Sequence, residues 1–425
     1  MTFETVVTMD ASSIKYGPGV TREVGYEMER LGARRVMVLT DPNLAGSEPV
    51  AMTLEALHSD RIDAVLYDRV RIEPTDVSFK DAIQFAIDGA FDGYVAVGGG
   101  STIDTAKAAN LYATYPADLL TYVNPPIGEG RPVPGQLRPL IAIPTTAGTG
   151  SETTGVAIFD LLEMHAKTGI AHRALRPVMG IVDPYNTRTL PKMAAACTGF
   201  DVLCHAVESL TALPYTQRPA AASPDLRPAY QGSNPISDVW AARAIQMVSK
   251  HIVRAIANPG DDETRGQMLL AACFAGIGFG NAGVHLPHGM SYPVSGMVRD
   301  YMPEGYVSDH PIVPHGMAVV LNAPAVFRFT APSNPERHLY AAQLMGVPTA
   351  DANPDDAGDL LAAAIVDLMR RTGIPNGLSA VGYGPDDVPE LVAGTMPQHR
   401  VTKLCPRPFD ETDLEQLFLD SLTCW

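Results

Sequence analysis

The sequence predicts an α/β domain built on a parallel sheet over residues 1–195, followed by an all-α domain over residues 196–425. Three observations predict it. About the first 190 residues alternate short β-branched runs with amphipathic stretches of helical period, the signature of parallel βα units. Each run stops at Asp, Gly or Pro, so polar loops gather at the carboxyl edge of the sheet, where open α/β sheets bind ligands. Beyond that point the apolar residues recur at three, four and seven, and β-rich runs become rare.

In chain order, Val36-Met37-Val38-Leu39-Thr40 ends in Asp41-Pro42, and Ala64-Val65-Leu66-Tyr67 follows a helix-like segment. Tyr94-Val95-Ala96-Val97 runs into three glycines, Leu140-Ile141-Ala142-Ile143 into Pro144, and Gly180-Ile181-Val182 into Asp183-Pro184. In the second half Val239, Ile245, Val248, Ile252, Val253 and Ile256 share a helical face, and Asn258-Pro259-Gly260 stops the run. Ala362 to Leu368 behaves alike, while the stretch from Pro219 to Pro235 reads as an ordered loop.

The 425 residues suffice for two or three domains, and 46% hydrophobic against 18% charged residues is a globular composition. With 47 acids against 31 bases the net charge is −16, which argues against nucleic acid or an anionic membrane as partner. An anionic substrate must then meet a local cationic pocket. No apolar run approaches the roughly 18 residues a membrane span requires. The N-terminus carries Glu4 early and has neither the basic and apolar regions of a signal peptide nor the character of a mitochondrial presequence. Five cysteines without CxxC spacing exclude a zinc ribbon and a disulfide framework, and lead to the expectation of a reduced cytoplasm.

Gly98-Gly99-Gly100-Ser101 leaves a strand and enters a helix, with Asp104 and Lys107 one turn in. Such glycines let the backbone approach a pyrophosphate at the positive end of the helix, although a tight structural turn uses the same residues. The spacing is not GxGxxG. Pro144-Thr145-Thr146-Ala147-Gly148-Thr149-Gly150-Ser151-Glu152 places hydroxyls and glycines after another strand, as a cofactor loop or as a helix start capped by Thr149 or Ser151. Asp41 fits an acceptor for ribose hydroxyls, which favours NAD over NADP, or a plain turn.

Asp201 and His205 stand at i and i+4, so on a helix they share a face and can grip one divalent cation, or form an ordinary surface pair. Glu208 lies on that face, as an acceptor that orients His205. Two later His-Gly-Met segments supply His288 and His315, where a core histidine is the alternative and the glycine leaves room for a ligand. One carboxylate and three imidazoles suit Fe(II) or Zn(II).

In order along nearly the whole chain, Gly98-Gly99-Gly100-Ser101 with Asp104 and Lys107, Pro144 to Glu152, Gly199 to Glu208 and the two histidine segments resemble the iron-containing (group III) alcohol dehydrogenases. Ile14-Lys15-Tyr16-Gly17, Arg71 to Asp76, Gly155 to Asp160, Arg227 to Pro235 and Arg400 to Leu404 are similar to the hydroxyacid-oxoacid transhydrogenase branch. The resemblance implies a dehydroquinate synthase-like architecture: a dinucleotide-binding domain, a helical metal domain and a cleft between them. It implies the metal ligands Asp201, His205, His288 and His315, and the NAD contacts Asp41, Gly99, Gly100, Ser101, Thr145, Thr146, Thr149, Ser151 and Lys167. The family often has a histidine four residues after the third ligand; here Tyr292 stands there, a candidate to donate or accept the proton. His285 replaces a common glycine and either faces the substrate or fills space. The branch implies oxidation of 4-hydroxybutyrate to succinate semialdehyde coupled to reduction of 2-oxoglutarate to 2-hydroxyglutarate, without release of NADH, in a homodimer or larger homo-oligomer. Arg227, Arg299, Arg400 and Lys403 are candidates to meet the carboxylates. The alternatives are an alcohol dehydrogenase that releases NADH, a lyase of the dehydroquinate synthase type and a non-catalytic binding protein.

Overall fold

In the computed structural model, which describes residues 2–164, 166–306, 308 and 310–425, the chain divides into two compact units. One is Asp10–Thr189; the other is Leu190–Trp425 together with Met1–Met9.

The first unit interleaves strands and helices: β1 (Ser13–Tyr16), α1 (Val24–Arg30), β2 (Arg35–Leu39), α2 (Glu48–Ser59), β3 (Asp63–Tyr67), α3 (Asp76–Gly89), β4 (Gly93–Gly98), α4 (Gly100–Thr114), β5 (Leu140–Pro144), β6 (Val156–Leu161), β7 (Ala166–Ala171) and β8 (Met179–Val182). Six strands form one parallel sheet in the order β1-β8-β5-β4-β2-β3. Every residue of β4 and β5 is buried, as expected of central strands covered on both faces. Alternation within a strand serves the two faces. Val36 and Val38 join Val95, Val97, Met28 of α1 and Leu57 of α2 on one side, while Met37 and Leu39 join Tyr94, Ala96, Ala82 of α3 and Ile103 of α4 on the other. Fully burying a side chain of this size contributes about 1.5 to 3 kcal/mol, so a register slip that turned β2 over would forfeit several such terms at once.

The chain passes from β2 to β3 on one side and returns to β4 on the other, so the connections diverge between the carboxyl ends of β2 and β4. That is the switch point at which doubly wound sheets hold dinucleotides. Thr40 Oγ1 donates to Val97 O across it at 2.9 Å. The predicted strands appear as β2, β3, β4, β5 and β8. β1 and the antiparallel hairpin β6–β7 stand outside the predicted strands; β7 reads Ala-Lys-Thr-Gly-Ile-Ala, too poor in β-branched residues to stand out.

The second unit is helical: α5 (Lys192–Thr211), α6 (Pro235–Ala257), α7 (Asp262–Ala282), α8 (Leu286–Gly296), α9 (His315–Thr330), α10 (Pro335–Leu344), α11 (Ala357–Thr372), α12 (Val388–Thr395), α13 (His399–Thr402) and α14 (Glu411–Ser421). Asn234 caps α6 by accepting from the N–H groups of Ile236 and Ser237, Pro235 fills the first turn, and the helix stops at Asn258. α5 is buried from Gly199 to Thr211 without a break, because α6, α7 and α9 all pack on it. A helix buried all round has no solvent face for its polar residues. Asp201, His205 and Glu208 must therefore find partners inside the unit.

Candidate functional site

Asp201 and His205 sit one turn apart on α5, His288 lies in the first turn of α8, and His315 opens α9. The Nε2 atoms of His205, His288 and His315 stand 3.7, 3.6 and 3.8 Å from one oxygen, Asp201 Oδ1. These separations are too long for good hydrogen bonds. Ligand atoms around an ion with bonds of about 2.0 to 2.2 Å lie roughly 3.3 to 3.6 Å apart, so the spacing suits a shared cation better. Ligand atoms of Asp201, His288 and His315 all fall within 4.8 Å of one another. Asp201 Oδ1 and His288 Nε2 are buried and without a hydrogen-bond partner among the described residues. Leaving such groups unpaired costs about 1 to 3 kcal/mol each, a cost that a bound cation removes.

Burial alone would raise the Asp201 carboxyl, but His205, His315 and His288 around it hold it well below the usual carboxylate range. Burial pushes His205 down to about 3, leaving the neutral imidazole that a metal requires. Burial also opposes charge on His288, yet Glu208 and Asp201 lift it to about 10, and a cation taking that place releases the proton.

The partner of Glu208 differs from expectation. Glu208 does not orient His205: its Oε2 pairs with His288 Nδ1, and its Oε1 accepts from the backbone N–H groups of His285 and His288 at 3.0 and 3.2 Å. It thus ties the start of α8 to α5. His205 is held instead by the Phe279 ring, stacked at 3.9 Å and 4°. The glycines beside the imidazoles also act differently. A Cβ on Gly316 would lie 2.0 Å from Cys197 O and 2.8 Å from Asp201 Cβ, and one on Gly289 would lie 2.5 Å from Thr402 Cγ2. They make room for α5 and α13, not for a ligand.

His285 is fully buried, with Nε2 3.0 Å from Thr211 Oγ1, so it fills space in the helical unit. Tyr292 stacks on His315 with ring centroids 6.3 Å apart, and its hydroxyl accepts from Arg400 Nη2 at 2.6 Å.

In the α/β unit both loops meet at the carboxyl end of the sheet. α4 starts at Gly100 with neither a side-chain cap nor an acid in its first turn, which leaves its N-terminal N–H groups and dipole for an outside anion. A Cβ on Gly99 would come 3.2 Å from Thr146 Cγ2, and one on Gly100 2.6 Å from Thr149 Cγ2, so the glycines let the two loops touch. Thr145 N–H donates to Gly98 O at 3.1 Å. Asp41, adjacent in the sheet, is buried, and its Oδ1 accepts from Asn43 N–H at 2.9 Å; burial raises its carboxyl.

Two expected cofactor contacts are engaged within the protein. Ser151 bonds to Lys107 and Asp104, while Lys107, fully buried, also donates to Val156 O at 2.7 Å. Lys167 pairs with Glu73 and, at 3.2 Å, with Asp160; burial works against its charge, but the two acids hold the ammonium above its usual value. Ser101 Oγ accepts from Glu73 N–H at 3.2 Å, so Glu73 links Lys167 to the glycine loop. The sequence marks Asp104 and Lys107 by spacing, but the clasp they form with Ser151 depends on loop packing.

The family model for iron-containing alcohol dehydrogenase matches residues 11–184, and the model for the C-terminal part of the Fe-containing alcohol dehydrogenase family matches residues 229–422. The chain belongs to the iron-containing alcohol dehydrogenase family. A solved 1,3-propanediol oxidoreductase superposes with a TM-score of 0.86 at 27% identity, covering 98% of this chain and 100% of the other. Sulfoacetaldehyde reductase from Bifidobacterium kashiwanohense, solved with NAD+, gives 0.79 at 25%, covering 99% and 98%. A Bos taurus protein named hydroxyacid-oxoacid transhydrogenase, mitochondrial, is 56% identical over 97% of this chain and 89% of its own length. As a member of the iron-containing alcohol dehydrogenases this chain is an oxidoreductase that uses NAD and a divalent metal, and Asp201, His288 and His315 are placed so that they could hold a metal ion. The expected cytoplasmic location is overturned, because a relative this similar is named a mitochondrial protein. Free cysteines report a reducing compartment and do not single out the cytosol.

Proposed function

We propose that this enzyme is a hydroxyacid-oxoacid transhydrogenase: it takes a hydride from 4-hydroxybutyrate, giving succinate semialdehyde, and returns it to 2-oxoglutarate, giving 2-hydroxyglutarate. The observation that carries the reading is the 56% identity over 97% of the chain to a protein of that name. His205 would complete the donor set of Asp201, His288 and His315, its Nε2 facing the same Asp201 oxygen. One carboxylate with three imidazoles fits Fe(II), with Zn(II) the alternative that elemental analysis separates. When bound, the cation supplies a Lewis acid for the alcohol oxygen and NAD a hydride acceptor.

The chain's own residues do the positioning. Asp201 contributes the fixed negative charge, Glu208 sets the tautomer and plane of His288, and Phe279 sets the plane of His205. The Tyr292 hydroxyl accepts from Arg400 and keeps its own hydrogen for exchange with the substrate oxygen. Asp41, Gly99, Gly100, Ser101, Thr145, Thr146 and Thr149 would touch the dinucleotide, with Ser151 and Lys167 bracing that surface from beneath. We read the working form as at least a homodimer.

Metal-loaded enzyme incubated with 4-hydroxybutyrate and 2-oxoglutarate, without added NAD, is expected to form 2-hydroxyglutarate. No product there, together with brisk reduction of added NAD by simple alcohols, identifies an alcohol dehydrogenase that releases NADH.

A further inference from the structure

The four cations that the sequence offered for carboxylate recognition are not equivalent in the structure. Arg227 is paired with Glu4 at 3.0 Å. Arg299 is exposed and spends one nitrogen on Asp387 and Gly382 O, at 2.8 and 2.6 Å. Arg400 has no acidic partner among the described residues. Its Nη2 donates to Tyr292 Oη, its guanidinium lies 5.3 Å from the Tyr230 ring centroid, and its Nη1 is buried with no hydrogen-bond partner among those residues.

Arg400 is half-buried, and a guanidinium flanked by two tyrosines with one nitrogen shut off from water is strongly attractive to an anion. It carries a full charge, and one of its N–H groups lacks the acceptor that water would provide outside. Tyr292, its hydrogen-bonded neighbour, stacks on His315, so the guanidinium sits one phenol ring away from a metal ligand. Lys403, on the next turn, and Arg218 add positive charge: desolvation, then Arg218 and Arg400, push the Lys403 ammonium below its ordinary value.

We propose that Arg400 is the anchor for the distal carboxylate of the substrates, and that one anchor serves both half-reactions. This rests on the transhydrogenase reading. In 4-hydroxybutyrate and in 2-hydroxyglutarate the distal carboxylate stands the same number of bonds from the carbinol carbon. The second molecule is the first with a carboxylate in place of one carbinol hydrogen. A single cation at a fixed distance from the metal site therefore selects both alcohols and their oxidised partners, and rejects alcohols without the distal charge. Arg is suited to this because its planar fork meets a carboxylate through two parallel hydrogen bonds.

The test compares parent, Arg400→Gln and Arg400→Lys, all metal-loaded, by the ratio of kcat/KM for 4-hydroxybutyrate to that for 1-butanol in NAD-linked oxidation. The ratio is expected to fall about 100-fold in the Gln variant, mainly through KM, and to recover in part in the Lys variant. Glutarate, an unreactive dicarboxylate, serves as a second probe. Its inhibition of 1-butanol oxidation should weaken about 100-fold in Arg400→Gln with metal content unchanged. Equal losses on both alcohols together with unchanged glutarate inhibition would overturn the assignment. Glutarate inhibition that depends on Arg400 in an enzyme that makes no 2-hydroxyglutarate would keep the anchor and sink the transhydrogenase.

Discussion

The helical unit and the α/β unit prepare for their ligands in opposite ways. Around Asp201 the helices bring buried donors together and leave some of them unpaired, Asp201 Oδ1 and His288 Nε2 among them. Around Gly99 and Gly100 the polar side chains are largely spent on one another: Ser151 on Lys107 and Asp104, Lys167 on Glu73 and Asp160. A point charge is captured by side-chain atoms held open at a cost, whereas an extended dinucleotide is matched by a backbone surface that bracing side chains keep in shape.

The largest effect should come from removing one open donor. His288→Ala and His205→Ala are each expected to lose nearly all bound metal while still binding NADH; stoichiometric metal in both purified variants would return these histidines to ordinary core duty. Next comes Glu152, buried under the threonine loop, where burial raises its carboxyl from 4.5 to about 7. The folded state then holds a proton that the unfolded chain gives up, so this group subtracts stability as pH rises through that window, on the order of 3 kcal/mol in full. Glu152→Gln should gain stability relative to the parent between about pH 5 and pH 8 in denaturant titrations; a difference that stays flat with pH breaks the account. The smallest effect concerns loop contact. Gly100→Ala forces a Cβ to within 2.6 Å of Thr149 Cγ2. A strain of about 1 to 3 kcal/mol should weaken NADH binding roughly five- to hundredfold and leave metal content alone.

What was legible in the sequence was whatever repeats locally. The β-branched runs of β2, β4 and β5 and the helical period of α6 declared themselves, as did the one-turn spacing of Asp201 and His205. What escaped is set by packing between distant segments. Helix geometry places Glu208 on the same face as His205, but its carboxylate answers to His288, which arrives on another helix 80 residues later. Ser151 stands in a cofactor-like motif, yet its hydroxyl meets Lys107, 44 positions earlier, across a loop contact that no periodicity encodes. β7, with Lys, Gly and two alanines, forms because β6 offers it a partner.

The contact at Gly316 carries a last consequence. A Cβ there would all but coincide with Cys197 O, so α9 packs on α5 at a distance that only glycine allows. The gap between Asp201 and His315 is thereby gauged by two main chains in contact rather than by flexible side chains. A side chain at Gly316 would have to lift α9 off α5, and so would carry His315 away from Asp201.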